Sequence, residues 1–169
     1  MSVAFRRDSD EEHLEPKFEI PLPAGPNLVT ARGLALIESR IAELETSLAA
    51  SSDEAATAAI KRDLRYWRQR RSSAELAVRP AGDIVGFGVT VRVLFNGKPR
   101  TFTIVGDDEA DPANGMISFK SPLSQAMLGS EIDETLPFGN NPDAIRILGI
   151  IVDDTFGADN APHPLAQPE

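Results

Sequence analysis

Two apolar seams constrain this chain more than any other feature. Leu34, Ile37, Ile41, Leu44 and Leu48 follow one another at steps of 3, 4, 3 and 4 residues, the spacing that lines one face of a helix in heptad fashion. Ile60, Leu64, Trp67, Arg71, Ala74 and Val78 continue at steps of 4, 3, 4, 3 and 4. The spacing predicts helices over residues 30–50 and 53–77, with Thr30 as a suitable N-cap for the first. Arg71 is the polar member of the second seam and must extend its head out of it. Only Ser51-Ser52-Asp53-Glu54 separates the patterns. A link so short makes the helices fold back as an antiparallel hairpin. At ~1.5 Å per residue the arm is about 30 Å long.

At Arg79-Pro80-Ala81-Gly82-Asp83 the composition turns from helix formers to β formers. Residues 84–95 alternate and end in Asn96-Gly97, a strong hairpin turn, and Arg100 to Val105 returns. Gly106 ends that strand. Asp107, Asp108, Glu109 and Asp111 then lead through Pro112 to the turn pair Asn114-Gly115. Met116 to Phe119 resumes a strand. Ser121-Pro122 opens a short helix, with Ser as cap and Pro at its first position, and Gly129 closes it. Ile132 to Phe138 and Ala144 to Val152 are further strands, the last apolar enough to be central. The count is about five strands and one short helix, an α+β domain.

The net charge of −9 conceals a segregation. Between Lys61 and Arg71, the six bases Lys61, Arg62, Arg65, Arg68, Arg70 and Arg71 face a single acid, Asp63, whereas twelve acids oppose Lys120 and Arg146 from Thr103 onward. Duplex DNA would repel such a chain as a whole, so general duplex binding is not expected, but a local basic face remains for RNA or another acidic partner. Cysteine is absent, which excludes disulfides and thiolate metal sites and suits a reducing cytoplasm. No apolar run is long enough for a membrane span, and MSVAFRRDSDEE lacks the apolar core of a signal peptide. Residues 1–28, polar and punctuated by Pro16, Pro21, Pro23 and Pro26, read as a disordered acidic leader, and residues 154–169 as a disordered tail.

The usual catalytic sets are missing. The histidines, His13 and His163, lie in the two tails, and neither a dinucleotide fingerprint after Gly86-Phe87-Gly88 nor a Walker-type loop is present. The chain is not expected to be a self-contained enzyme or to bind a metal of its own. Asp53 and Glu54, at the hairpin tip, have two readings. Ser51-x-x-Glu54 is a capping box, and acids in a first turn complement the helix dipole. Paired acids also suit Mg²⁺, which prefers hard oxygen ligands. The basic face likewise has two: Arg62, Arg65 and Arg68 pair across the hairpin with Glu38, Glu43 and Glu45, or they contact RNA.

The run Ile104-Val105-Gly106-Asp107-Asp108-Glu109-Ala110-Asp111, followed by Ile117-Ser118, Ser121-Pro122-Leu123 and Gly129, with Phe87-Gly88-Val89-Thr90-Val91 upstream, resembles the C-terminal domain of the GreA/GreB bacterial transcript-cleavage factors. The resemblance covers residues 84–152 well and residues 28–78 more loosely. It implies an α-helical hairpin, or coiled coil, at 29–79, followed by an FKBP-like domain at 80–153, a curved antiparallel sheet wrapped on a helix. It also implies a cytoplasmic, monomeric factor acting in transcription elongation, bound to RNA polymerase at its secondary channel. Asp107, Asp108, Glu109, Asp111, Ser121, Pro122 and Leu123 are then the polymerase-binding candidates. Arg62, Arg65 and Arg68 are the candidates for contact with the nascent RNA 3′ end. Asp53 and Glu54 would assist the polymerase's own Mg²⁺ in cleaving backtracked RNA, so that any cleavage is polymerase chemistry.

The tip departs from the family pattern G-D-L-x-E-N-A-E-Y, and the hairpin region is roughly two dozen residues shorter than in typical cleavage factors, about 18 Å of reach at ~1.5 Å per residue. That shortening resembles Rnk, a channel binder that does not stimulate cleavage, which is the alternative. A remote alternative is an FKBP-like prolyl isomerase, on fold analogy alone. Its aromatic-lined pocket is poorly supplied here, since the C-terminal part has Phe but no Trp or Tyr.

Overall fold

The structure is a computed structural model that describes residues 19–78 and 80–152. The expectations for residues 1–18 and 153–169, including both histidines, lie outside the described residues.

Helices α1 (Ala31–Ala50) and α2 (Glu54–Ser72) pack on each other in antiparallel fashion. Their direction is fixed by cross-helix ion pairs, Arg71 with Glu38 at 3.0 Å and Arg68 with Glu45 at 2.8 Å. Thr30 caps α1 by accepting from the Gly33 N–H at 2.9 Å. The first seam faces inward as its spacing requires: Ile37 and Leu44 are buried, and Leu34, Ile41 and Leu48 are half-buried. In α2, Leu64 is buried while Ile60 and Trp67 are half-buried.

The second seam breaks earlier than its spacing predicts. α2 ends at Ser72, not near residue 77, and Val78 is exposed. Strand β1 (Asn27–Val29) causes the break by pairing in parallel with β2 (Ala74–Leu76). The Asn27 side chain donates to the Arg70 carbonyl at 2.7 Å and to the Ser73 hydroxyl at 3.1 Å, satisfying groups that the end of a helix leaves orphaned. Asn27 and Leu28 therefore correct the expected leader boundary at residue 28: they are ordered, with Asn27 buried.

The second part is a five-stranded sheet of β3 (Val89–Phe95), β4 (Lys98–Val105), β5 (Met116–Ser118), β6 (Thr135–Phe138) and β7 (Asn141–Val152), in the order β5-β4-β3-β7-β6. Asn96 and Gly97 both take positive φ, as a tight β3–β4 hairpin demands. Along β3, Val89, Val91 and Val93 are buried while Arg92 points to solvent. With Ile104, Ile117, Ile145, Ile147 and Met127 they form the core, on which α3 (Pro122–Met127) packs. β7 is interior, between β3 and β6.

The sheet is not wholly antiparallel, which corrects the expected architecture. β5 runs parallel to β4, pairing Thr103 with Met116 through Val105 with Ser118. Two 3₁₀ turns (Asp107–Glu109 and Pro112–Asn114) re-aim the chain, so the acidic turn is a crossover and not a hairpin loop. The mixed α+β composition otherwise follows the reading of the sequence.

Candidate functional site

The acidic turn after β4 meets the base of the helical hairpin, and two of its four carboxylates, Asp108 and Glu109, are consumed there. Glu109, buried, accepts from the Thr30 hydroxyl at 2.6 Å and from Arg32 Nε at 2.7 Å. The Glu109 carboxylate thus sits on the N-terminus of α1, where partial positive charge favours an anion. Gly33 makes room for it: a Cβ at that position would lie 2.8 Å from Glu109 Oε2. Gly106 allows a second close approach, because a Cβ there would lie 2.4 Å from the Leu28 carbonyl oxygen.

Asp108 reaches α2. It accepts from Arg70 Nε at 2.6 Å and from the Tyr66 hydroxyl at 3.1 Å, and Arg70 donates in turn to Asn27 Oδ1 at 2.5 Å. Burial pushes the Tyr66 phenol up, and the Asp108 charge with its hydrogen bond adds to the effect, carrying the pKa to about 12. The basic residue turned inward is therefore Arg70. Arg71, the polar member of the seam, is exposed and pairs with Glu38.

Asp107 closes the turn on its own domain, accepting from Lys120 Nζ at 2.7 Å and from the Ser118 hydroxyl. Burial pushes this carboxyl up, but the hydrogen bonds from Lys120 and Ser118 and the Lys120 charge outweigh it and hold it below the usual range. Asp111 accepts from Asn114 Nδ2 at 2.6 Å within its own turn.

Ser121 caps α3, accepting from the Ser124 N–H at 3.2 Å. Pro122 at the first helical position is exposed, and Leu123 packs partly against the core. Of the polymerase-binding candidates, then, Asp107, Asp108 and Glu109 are engaged inside the molecule, and the start of α3 presents surface.

At the hairpin tip Asp53 is the N-cap of α2, accepting from the Ala56 N–H at 2.7 Å. The expected Ser51–Glu54 capping box does not form; the Ser51 hydroxyl instead donates to the Asp53 carbonyl and accepts from Thr57. Asp53 and Glu54 are both exposed and adjacent. Along α2, Arg62 pairs with Asp63, Arg65 with Glu19 and Arg68 with Glu45, all partly or largely exposed. The cross-hairpin pairing expected for this face thus holds for Arg68, while the other two find different partners. Among the described residues no group of three or more His, Asp or Glu side chains is arranged to hold a metal ion, and no helix is long and apolar enough to cross a membrane.

The base of the hairpin, with Asn27, Arg32 and Arg70, was not singled out as a site from sequence. The one available signal was the matched surplus of acids after β4 and bases on α2.

Comparison with known proteins bears on residues within this second part and beyond. Residues 79–150 match the family model described as transcription elongation factor, GreA/GreB, C-terminal. A transcription elongation factor GreA of Desulfovibrio desulfuricans is 53% identical over 53 residues, covering 30% of this chain and 33% of the relative. The GreA of Ralstonia nicotianae is 37% identical over 99 residues, covering 55% of this chain and 48% of the relative. The chain thus spans a third to a half of the length of these curated relatives. The crystal structure of GreA factor homolog 1 (Gfh1) of Thermus thermophilus aligns with 75% of this chain and 99% of its own at 19% identity, with a TM-score of 0.35. The likeness rests on the sequence matches: residues 79–150 are similar to the C-terminal part of the GreA/GreB transcription elongation factors.

Proposed function

We propose that the protein is a transcription elongation factor that binds RNA polymerase at its secondary channel and modulates elongation. The observation that carries the reading is the match of residues 79–150 to the GreA/GreB C-terminal domain. In this reading residues 29–79 are an arm and residues 80–153 an FKBP-like docking domain. The start of α3, with Pro122 exposed between the half-buried Ser121 and Leu123, meets the polymerase. The acidic turn contributes indirectly: Asp108 and Glu109 hold the base of the arm, so that the tip is presented at a fixed bearing.

The chain supplies no active site of its own in this reading, and it works in the cytoplasm with the polymerase. Asp53 and Glu54 stand at the tip of the arm, where acids can help hold a polymerase Mg²⁺ and its water. Arg62, Arg65 and Arg68 line the arm and are exposed enough to exchange their carboxylate partners for an RNA phosphate. One observation favours a non-cleaving, Rnk-like mode of the same binding: helices of 20 and 19 residues give an arm of only about 30 Å.

The test is RNA cleavage in a defined backtracked elongation complex, comparing wild type with Asp53→Ala/Glu54→Ala while polymerase binding is scored in parallel. Cleavage lost in the double variant with binding retained supports a cleavage factor. Binding without cleavage by either protein supports a channel-occupying regulator. Absence of binding overturns the proposal.

A further inference from the structure

The residues ahead of β1 are tied to both parts of the molecule. Residues 19–26, Glu-Ile-Pro-Leu-Pro-Ala-Gly-Pro, belong to neither helix nor strand. At one end Glu19 takes hold of Arg65 on α2, 46 residues later: Arg65 Nη2 donates to Glu19 Oε1 at 2.7 Å, and Arg65 Nε to Oε1 and Oε2 at 3.1 and 3.2 Å. Further along, the Ala24 carbonyl accepts from Lys120 Nζ at 2.7 Å. Lys120 immediately precedes Ser121, the cap of α3. The segment is thus a strap that runs from the arm to the start of α3 and then enters β1. Pro21, Pro23 and Pro26 fix its φ angles, so laying it down costs less chain entropy than for a flexible sequence.

Arg65 stands in the middle of the arm's basic face, since Arg62, Arg65 and Arg68 recur at helical i, i+3 spacing. Arg62 pairs with its neighbour Asp63 at 3.3 Å, and Arg68 with Glu45 of α1 at 2.8 Å. Of the three, Arg65 takes its partner from outside the hairpin. The side chains of Arg65 and Glu19 are 51% and 57% exposed, so water screens the pair and it adds little to the stability of the fold. Being tethered in the same chain, however, the carboxylate faces Arg65 at a high effective concentration. A guanidinium fork matches carboxylates and phosphates alike. Any phosphate offered to Arg65 must therefore displace Glu19.

We propose that residues 19–26 are an autoinhibitory strap, in which Glu19 holds Arg65 against a nucleic-acid phosphate and gives way when single-stranded RNA takes its place. The proposal rests on the reading of Arg62, Arg65 and Arg68 as RNA contacts, and adds to it a competitor built into the chain. An exposed ion pair suits this role because it opens readily, whereas a buried one such as Arg70 with Asp108 would not. The strap sets a threshold: a ligand with one phosphate within reach of the arm gains little from Arg65, and a strand that also engages Arg62 and Arg68 offsets the loss of Glu19.

The experiment uses the full chain and a short fluorescein-labelled oligouridylate, followed by anisotropy at low ionic strength. Glu19→Gln is expected to tighten binding about two- to fivefold, the range over which an exposed ion pair acts, and Arg65→Gln to weaken it. With Arg65→Gln already in place, Glu19→Gln should change nothing, because the strap then has no guanidinium to release. Glu75→Gln removes the same charge from an exposed position on β2 and should leave binding close to wild type. Freeing Arg65 should also steepen the dependence of log Kobs on log salt by about 0.7, the slope for one further phosphate contact on a single strand. Thermal melts of Glu19→Gln should match wild type; a lower melt with unchanged RNA affinity makes the strap a brace and overturns the proposal. Tightening by Glu75→Gln, or by Glu19→Gln in the Arg65→Gln background, overturns it as an effect of bulk charge. If Arg65→Gln weakens binding but Glu19→Gln does not tighten it, the strap falls and the RNA contact stands. If neither wild type nor Glu19→Gln binds the oligonucleotide, the RNA contact falls and the strap with it.

Discussion

Arg70 and Asp108 form an ion pair of 2.6 Å in which neither side chain is more than 7% exposed. One comes from the last turn of α2 and the other from the turn after β4, 38 residues later. The pair is not isolated: Asn27 and Tyr66 occupy further donor and acceptor positions on it. Complete hydrogen bonding is what makes a buried pair tolerable, since desolvation alone would cost several kcal/mol per ion.

Removing one partner should therefore cost more than removing both. Arg70→Met leaves the Asp108 carboxylate buried beside a thioether and is expected to destabilise the fold by about 3 kcal/mol. Arg70→Met/Asp108→Leu should recover a substantial part of that loss, because no charge is left uncompensated. Urea denaturation of the two variants and wild type gives the comparison. Equal losses in both would mean that packing, and not the charge, holds the joint.

The phenol of Tyr66 reports on the same joint. It is the only tyrosine in the chain, so its phenolate absorbance is unambiguous. The folded pKa, about 12, is raised above an unfolded value of about 10. Its contribution to stability is accordingly complete below pH ~10 and lost as pH rises toward 12. Asp108→Asn removes the charge that adds to the effect of burial, so the phenolate midpoint should fall toward 10 without reaching it. An unmoved midpoint would separate Tyr66 from Asp108.

The parts of this molecule written as periodicity could be read from the sequence. Leu34, Ile37, Ile41, Leu44 and Leu48 face inward because a 3.6-residue repeat leaves them no other face. Val89, Val91 and Val93 are buried by strand alternation, and Asn96-Gly97 and Ser121-Pro122 punctuate the chain by local chemistry. The base of the hairpin was written differently. Arg70 is turned inward by Asn27, 43 residues earlier, and Glu109 is held by Thr30 and Arg32 from 79 and 77 residues away. No local pattern encodes partners at that distance, and so the four acids of the turn read as a partner-binding loop. β1 and β2 were missed for a related reason: each has three residues, too few for a period, and their pairing is set by tertiary contact. The parallel direction of β5 depends on two short turns whose geometry composition does not fix.

The two glycines at the joint should respond differently to alanine. At Gly106 the obstacle is backbone, the Leu28 carbonyl oxygen at 2.4 Å, which cannot move without shifting β1. Gly106→Ala should cost ~1–3 kcal/mol, the range for overpacking. At Gly33 the obstacle is the end of a flexible side chain, Glu109 Oε2 at 2.8 Å. Alanine also gains up to about 1 kcal/mol of helix propensity over glycine, so Gly33→Ala should be close to neutral while displacing Glu109 from Thr30. Denaturation midpoints rank the two variants, and a larger loss at Gly33 would show that Glu109 cannot give way.

Asp53 has a structural duty as well as its proposed one at the polymerase, and substitution can separate them. Its carboxylate accepts from the Ala56 N–H at 2.7 Å and so caps α2. Asparagine caps about as well as aspartate, whereas alanine forfeits about 1 kcal/mol. Asp53→Asn should therefore melt with wild type, and Asp53→Ala should fall below both. Metal ligation follows a different order, because a neutral amide is a poor substitute for a carboxylate on Mg²⁺. If the tip acts on the polymerase's metal, Asp53→Asn loses stimulated cleavage at full stability. If Asp53 is a cap alone, Asp53→Asn behaves as wild type in every assay, and Asp53→Ala differs only in its melting temperature.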